Sequence, residues 1–447
     1  MIDSLLVANR GEIARRIIRT ANRLGIRTVA VYSEPDENLP HVREADEAVL
    51  LGPAPPAASY ANITALLDAA RRTGSQAVHP GYGFLSEDAK FAQQVQESGL
   101  LWIGPDPFVI EQMGDKVNAR NIAMSAGVPV ARGSVEPPGD VAEAAAIAAD
   151  IGYPVMLKAA AGGGGTGILQ VADEAGLRAG FERLQAYAGR MFDSPKLIVE
   201  RFFPRARHVE VQILGLADGR VLALGERNCS VQRRNQKVVE EAPSPGLPDE
   251  LRRRMVAAAV RLGEAVGYRN AGTVEFLVSG AEFVFLEMNT RLQVEHPITE
   301  RVFGVDLVEQ QLRIAAGLAP SVDVAALTPV GHAIELRVNA EDPVRFLPGP
   351  GAIVEWQQPA DPEVRVDAGY GPGTTVTPHY DPLLAKVVVH GADRAEALRK
   401  AAAAVADFRI SGPKHNLPFL AHLLATPEFA SGDYGTDIVT RIQSKET

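Results

Sequence analysis

Six polar side chains crowd one short stretch, E-F-L-V-S-G-A-E-F-V-F-L-E-M-N-T-R-L-Q-V-E, at positions Glu275, Glu287, Asn289, Arg291, Gln293 and Glu295. Carboxylates brought together in this way suit Mg2+, which takes oxygens from one or two residues and completes its shell with waters and substrate phosphates. The elements that would bring them together are legible. β-rich runs at 273–279 and 283–289 flank a short turn at Gly280 and Ala281, the pattern of a hairpin. If the loop has three residues, Gly280, Ala281 and Glu282, then Ser279 faces Phe283, and in the same register Glu275 faces Glu287. Like charges directly opposed across a hairpin are destabilising. Either an even loop keeps them apart, or a cation lies between them. After Glu287 the polar residues fall at alternate positions, so an extended backbone would aim Asn289, Arg291, Gln293 and Glu295 to the side of the carboxylate pair. A solvated polar edge strand is the plainer alternative, but it leaves the acid pair unexplained.

The run E-M-N-T-R-L-Q-V-E-H-P-I-T-E at 287–300 closely resembles the catalytic segment of biotin carboxylases, members of the ATP-grasp superfamily. The resemblance extends over essentially the whole chain. It implies that Glu275, Glu287 and Asn289 bind Mg2+ or Mn2+, that Arg291, Gln293 and the Val294 backbone bind bicarbonate, and that Glu295 is the base.

Composition bounds the reading without choosing it. A chain of 447 residues suggests about three domains. Its 55 acidic and 45 basic side chains form no long block of one sign, so the footprint of a nucleic-acid binder is missing. A single cysteine, Cys229, rules out an internal disulfide, and it has no dyad spacing that would mark a nucleophile. There is no secretory pattern before the first strand and no apolar run near the roughly 18 residues of a membrane span. The expectation is a cytoplasmic protein with no nucleic-acid or membrane partner.

Along the chain, residues 4–32 read strand, turn, helix, strand, with Ile13, Ile17, Ala21 and Leu24 as the buried stripe and Gly25 as C-cap. This βαβ unit predicts a parallel sheet, and it lacks a G-x-G-x-x-G fingerprint. H-P-G-Y-G-F-L-S-E at 79–87 is a signature of the family, which implies that Tyr82 lies near the acceptor ring. Lys116 opens a helix in M-G-D-K, and Lys158 ends the strand Y-P-V-M-L-K before A-A-A-G-G-G-G-T-G. Successive glycines pack nothing and cost backbone entropy, but they let N–H groups approach an anion closely. Family resemblance makes this a mobile ATP-grasp lid, with Lys116, Lys158, Gly164 and Gly165 on the phosphates and Glu200, Arg201 and Phe203 beside the adenine. It also puts His208 and Asn235 at the nucleotide, Lys237 on bicarbonate and Arg337 on the reacting acceptor and charged intermediate.

The expected fold is α/β and α+β multidomain: a βαβ pre-ATP-grasp segment (1–105), a lid region (106–203), a catalytic core (204–330) and a β-rich C-terminal domain (331–447). The implied reaction is carboxylation of biotin with ATP and bicarbonate through carboxyphosphate. None of the seven Met residues adjoins a Lys, so biotin must arrive on a carrier protein in trans, with a separate carboxyltransferase subunit. A homodimer is expected, although Arg16, Arg19 and Arg23 on one helix face would repel one another unless acids of a partner meet them.

Two other readings compete. One is an ATP-grasp ligase that carboxylates another small acceptor, which need not keep Lys237, Arg291 and Gln293 together. The other is a silent or weakened binding subunit. It draws on departures from the family pattern: Ala161 and Thr166 around the glycines where a fifth Gly and a Lys or Arg are usual, Ile168 for Met, Asn228 for Asp and Asn235 for His.

Overall fold

The computed structural model describes residues 2–161 and 166–444; Gly164 and Gly165 lie outside them. Five parallel strands form the N-terminal sheet in the order Glu47–Gly52, Arg27–Ser33, Ser4–Val7, Ala77–His79, Leu101–Trp102. Parallel strands are covered on both faces, which is why Leu5, Leu6 and Val7 are all fully buried. Helix Gly11–Arg23 lays Ile13, Ile17 and Ala21 on the sheet, and Gly25, at φ +73°, turns the chain away behind it.

The arginines of that helix do not await a partner. Arg16 bonds Glu300 at 2.6 Å and Asp306 at 2.7 Å, Arg19 bonds Asp367 at 2.8 Å, and Arg23 bonds Asp306 and Glu309, each at 2.8 Å. Acids from distant parts of the same chain neutralise the stripe, so the repulsion expected from spacing alone does not arise.

A smaller antiparallel sheet, Ile168–Val171, Val155–Ala159, Leu197–Arg201, carries helices Val141–Ile151 and Glu174–Phe192 over a core of Leu157, Val199 and Phe181. The rest hangs on one eight-stranded sheet. Its order is Glu282–Asn289, Asn270–Ser279, Arg207–Gly215, Val221–Arg233, Gln236–Ala242, His332–Asn339, Leu383–Gly391, Arg365–Ala368. Strands from either side of residue 330 are hydrogen-bonded neighbours in it.

The hairpin at the edge of this sheet corrects two expectations. Its loop has two residues, with Ser279 opposite Glu282 and Gly280 at φ +59°, the left-handed conformation that such a loop favours at its first position. That register alone would put Glu275 opposite Leu286. A bulge between Glu275 and Phe276 takes up one residue and restores Glu275 opposite Glu287. The strand then stops at Asn289 and helix His296–Phe303 begins, so residues 290–295 are irregular and not extended. No helix among the described residues is long and apolar enough to cross a membrane.

Candidate active site

One cavity of about 910 Å³ is lined by all the described residues expected at the site: Tyr82, Lys116, Lys158, Glu200, Arg201, Phe203, His208, Asn235, Lys237, Glu275, Glu287, Asn289, Arg291, Gln293, Val294, Glu295 and Arg337. They come from strands of the small and large sheets and from the loops and helix ends beside them, including the loop after the strand Ala77–His79.

At the floor, Lys237 Nζ meets three carboxylates: Glu210 Oε2 at 2.6 Å, Glu275 Oε1 at 2.8 Å and Glu295 Oε1 at 2.7 Å. An ammonium has three donors, and each has a carboxylate. Burial alone would raise the pKa of Glu295; Lys237 first, then Arg337 and Arg227, hold it well below the ordinary carboxylate range. Glu275 is likewise lowered against burial, by Lys237 and by His208, whose Nε2 is 2.8 Å from its other oxygen. Beneath them Arg227 is wholly buried and fully engaged. Nε bonds Glu210 at 2.6 Å, Nη1 bonds Gln212 at 2.7 Å and Thr299 at 3.0 Å, and Nη2 bonds Thr273 at 3.1 Å and Gln293 at 2.6 Å. This fixes Gln293, whose amide nitrogen donates to Glu275 at 2.7 Å.

Glu287 behaves differently. It makes no hydrogen bond or ion pair among the described residues, and burial and then Glu275 push its carboxyl pKa up. A half-buried carboxylate without an ion-pair partner among the described residues, facing another across the hairpin and lining the same cavity as Asn289, is a donor set that fits a hard divalent ion.

The wall formed by residues 291–295 is held by its backbone. His296 is buried and its pKa is driven well below normal by burial, then by Lys386 and nearby arginines, so the ring is neutral. Its Nδ1 donates to the Gln293 carbonyl at 2.7 Å, which turns the Val294 N–H of the same planar peptide the opposite way. Lys386 Nζ anchors the Val294 carbonyl at 2.7 Å. Arg291 is steadied by Glu87 at 2.8 Å and by Asn289 at 2.7 Å. Arg337 Nη2 lies 2.5 Å from Glu240 and 3.1 Å from Glu295.

On the opposite side Lys158 Nζ bonds Glu200 at 2.6 Å, and burial lowers the Lys116 pKa while Glu287 raises it. The Arg201 guanidinium lies 4.9 Å from the Phe203 ring centre. Asn235 is the second residue of the two-residue turn Arg234–Asn235, both at positive φ, a place where Asn is favoured.

Residues 1–110 match the family described as biotin carboxylase, N-terminal domain, residues 115–321 the carbamoyl-phosphate synthase L chain, ATP binding domain, and residues 335–441 the biotin carboxylase C-terminal domain. Biotin carboxylase 2 of Bacillus subtilis is 48% identical to this chain, over 98% of it and 99% of the relative. The chain belongs to the biotin carboxylase family. Solved biotin carboxylases share the fold. The β,γ-ATP complex from Campylobacter jejuni superposes with a TM-score of 0.96 at 39% identity, covering 99% of both chains. The biotin carboxylase domain dimer of the Hydrogenobacter thermophilus 2-oxoglutarate carboxylase, with MgADP, ADP and bicarbonate, gives 0.95 at 42% identity, covering 99% of this chain and 98% of that one.

Several residues of this biotin carboxylase site escaped the sequence reading. Arg227 and Glu210 lie within strands Val221–Arg233 and Arg207–Gly215, and no motif marks either of them. Lys386 did leave a signal: one lysine within the strand L-L-A-K-V-V-V, where a buried lysine must be paired. Cys229 is buried with its thiol pKa pushed well up, chiefly by burial, which leaves it without nucleophilic character.

Proposed function

We propose that this chain carboxylates biotin carried on a separate protein, using ATP and bicarbonate, as the first half-reaction of a biotin-dependent carboxylase. The observation that carries the reading is the Lys237 ammonium set among Glu210, Glu275 and Glu295, in the same cavity as the Glu275–Glu287 pair.

Glu275, Glu287 and Asn289 would hold a divalent cation, which would supply positive charge against the phosphates of ATP. Lys116 and Lys158 receive the phosphates, with Gly164 and Gly165 of the lid and His208 and Asn235 alongside. Arg201 and Phe203 flank the base, near Glu200. Lys237, Arg291, Gln293 and the Val294 N–H grip bicarbonate; the planar fork of arginine suits a planar oxyanion. Glu295, ionised between Lys237 and Arg337, takes the bicarbonate proton. A bicarbonate oxygen then attacks the γ-phosphorus, ADP leaves, and carboxyphosphate forms. Carboxyphosphate breaks down to CO2 and phosphate. The phosphate removes the ureido proton of biotin, and the nitrogen attacks CO2. Arg337 faces the negative charge that develops on the ureido oxygen, with Tyr82 near the ring.

The partners are a biotin carboxyl carrier protein and a carboxyltransferase subunit, the working unit is a homodimer, and the setting is cytoplasmic. A relative solved as a domain dimer supports the homodimer. Incorporation of labelled bicarbonate into free biotin, dependent on ATP, tests the reaction. Label entering another acceptor in place of biotin would move the chain to a different ATP-grasp ligase.

A further inference from the structure

Behind Arg337, two acids face each other in the large sheet. Glu240 and Glu335 are direct partners in the antiparallel register of strands Gln236–Ala242 and His332–Asn339. Both are fully buried, and none of their four carboxylate oxygens accepts a well-directed hydrogen bond. Like charges directly opposed on a sheet are destabilising, and two carboxyl groups sharing a buried site do not both ionise.

The surroundings distinguish the two. Glu240 has a cation in contact, the Arg337 guanidinium at 2.5 Å. Glu335 has none within ion-pair distance among the described residues. The groups facing the pair are Arg337 on the strand of Glu335, Lys386 on the next strand, Lys237 on the strand of Glu240, and Glu295 and Cys229 from the catalytic floor. Lys386 is committed elsewhere, to the Val294 carbonyl at 2.7 Å and Glu12 at 3.2 Å, and Lys237 to its three carboxylates.

We propose that Glu335 is a neutral carboxylic acid at neutral pH, a positioning residue that leaves Glu240 as the one anion behind Arg337 and so keeps the guanidinium turned to Glu295 and to biotin. Arg337 already serves two carboxylates. A third, ionised one strand position away, would draw the guanidinium off the cavity wall and cancel charge needed by the acceptor. Burial raises both carboxyls: Glu240 reaches only about 7 because Arg337 opposes it, whereas Glu335, offset in part by Lys386 and pushed further by Glu240, is raised well above its ordinary value. The inference rests on the biotin reading for the role of Arg337, but the protonation state is independent of that reading.

The test is infrared spectroscopy of the whole protein at neutral pH, comparing wild type with E335Q. The expected result is a protonated-carboxyl stretching band in the wild type, shifted in D2O and missing from the variant. Glu335→Met serves the same comparison should E335Q not fold. Positioning is read separately: E240Q, which removes the anion behind Arg337, should raise the KM for biotin severalfold and far more than the KM for bicarbonate. A wild type without the band, or a variant that keeps it, overturns the protonation. Equal shifts of both KM values overturn the positioning. Failure of biotin carboxylation altogether, with the band present, counts against the functional reading and leaves the neutral acid standing.

Discussion

Lys237 Nζ stands 2.7 Å from Glu295 Oε1, while the other oxygen of Glu295 is 3.1 Å from Arg337. The candidate base thus shares its cation with Glu210 and Glu275, and is held ionised by charges that also line the cavity. Replacing Lys237 by Gln takes the shared cation from three buried carboxylates. Hydrogen bonds to charged groups contribute about 1.5–3 kcal/mol each, so turnover should fall at least about a hundredfold.

The same change has a pH signature. Glu295 is held well below its ordinary value of 4.5, so its pairing contributes stability above that pH, and the contribution is lost as pH falls through the lower folded value. In K237Q the penalty at neutral pH comes from three ionised acids that have lost their shared cation, which acid relieves. The Tm gap between wild type and K237Q should narrow below about pH 4.5; a gap that widens on acidification would show that Lys237 is not the main partner of these acids.

Glu287→Gln removes one charge of the facing carboxylate pair without changing its shape. Mg2+-dependent ATP turnover should be abolished, with Mg2+ affinity lowered in a calorimetric titration. Full turnover in that variant would remove the metal assignment.

Arg227 has a donor for each of five acceptors and no exposed surface. Lysine cannot span that fork, and breaking a buried charge pair costs about 3–5 kcal/mol. Arg227→Lys should lower Tm markedly and raise the KM for bicarbonate, because Gln293 loses its anchor. A variant as stable as the wild type would refute the positioning role.

How far the sequence could be read is clearest at the hairpin. Alternation and turn chemistry placed both strands, and the opposition of Glu275 and Glu287 was expected, but through a loop of the wrong length. The bulge that restores it leaves no mark in residue types, because Leu286 reads as an ordinary strand residue. The stripe from Asn289 to Glu295 was read as extended because its spacing has period two. The chain instead turns irregularly, its backbone held by the adjoining His296 and by Lys386, and its Gln293 side chain by Arg227, the last two from remote segments. The arginines of the first helix teach the same point. Spacing shows that they share a face, while the acids that meet them lie some 280 to 350 residues away in sequence.

Three of the departures from the expected family pattern, Ala161, Thr166 and Ile168, lie at the glycine run. Arg233, a candidate to replace the missing lid cation, is paired with Glu341 and lies 4.7 Å from the Phe346 ring centre, so it is already engaged. Thr166→Lys restores a charged donor next to the glycines. One such bond, about 1.5–3 kcal/mol, corresponds to ATP binding tighter by about ten- to a hundredfold. Asn235→His should add less, because it replaces the residue that a turn at positive φ favours. Calorimetric ATP titration checks both; unchanged affinity in T166K would mean that the lid grips ATP by other groups.

ATP turnover with bicarbonate present or omitted, and with or without free biotin, bears most directly on the central claim. The account predicts Mg2+-dependent ADP release that requires bicarbonate and accelerates with biotin. ATP binding without bicarbonate-dependent turnover would contradict it and would make the chain a silent member of its family.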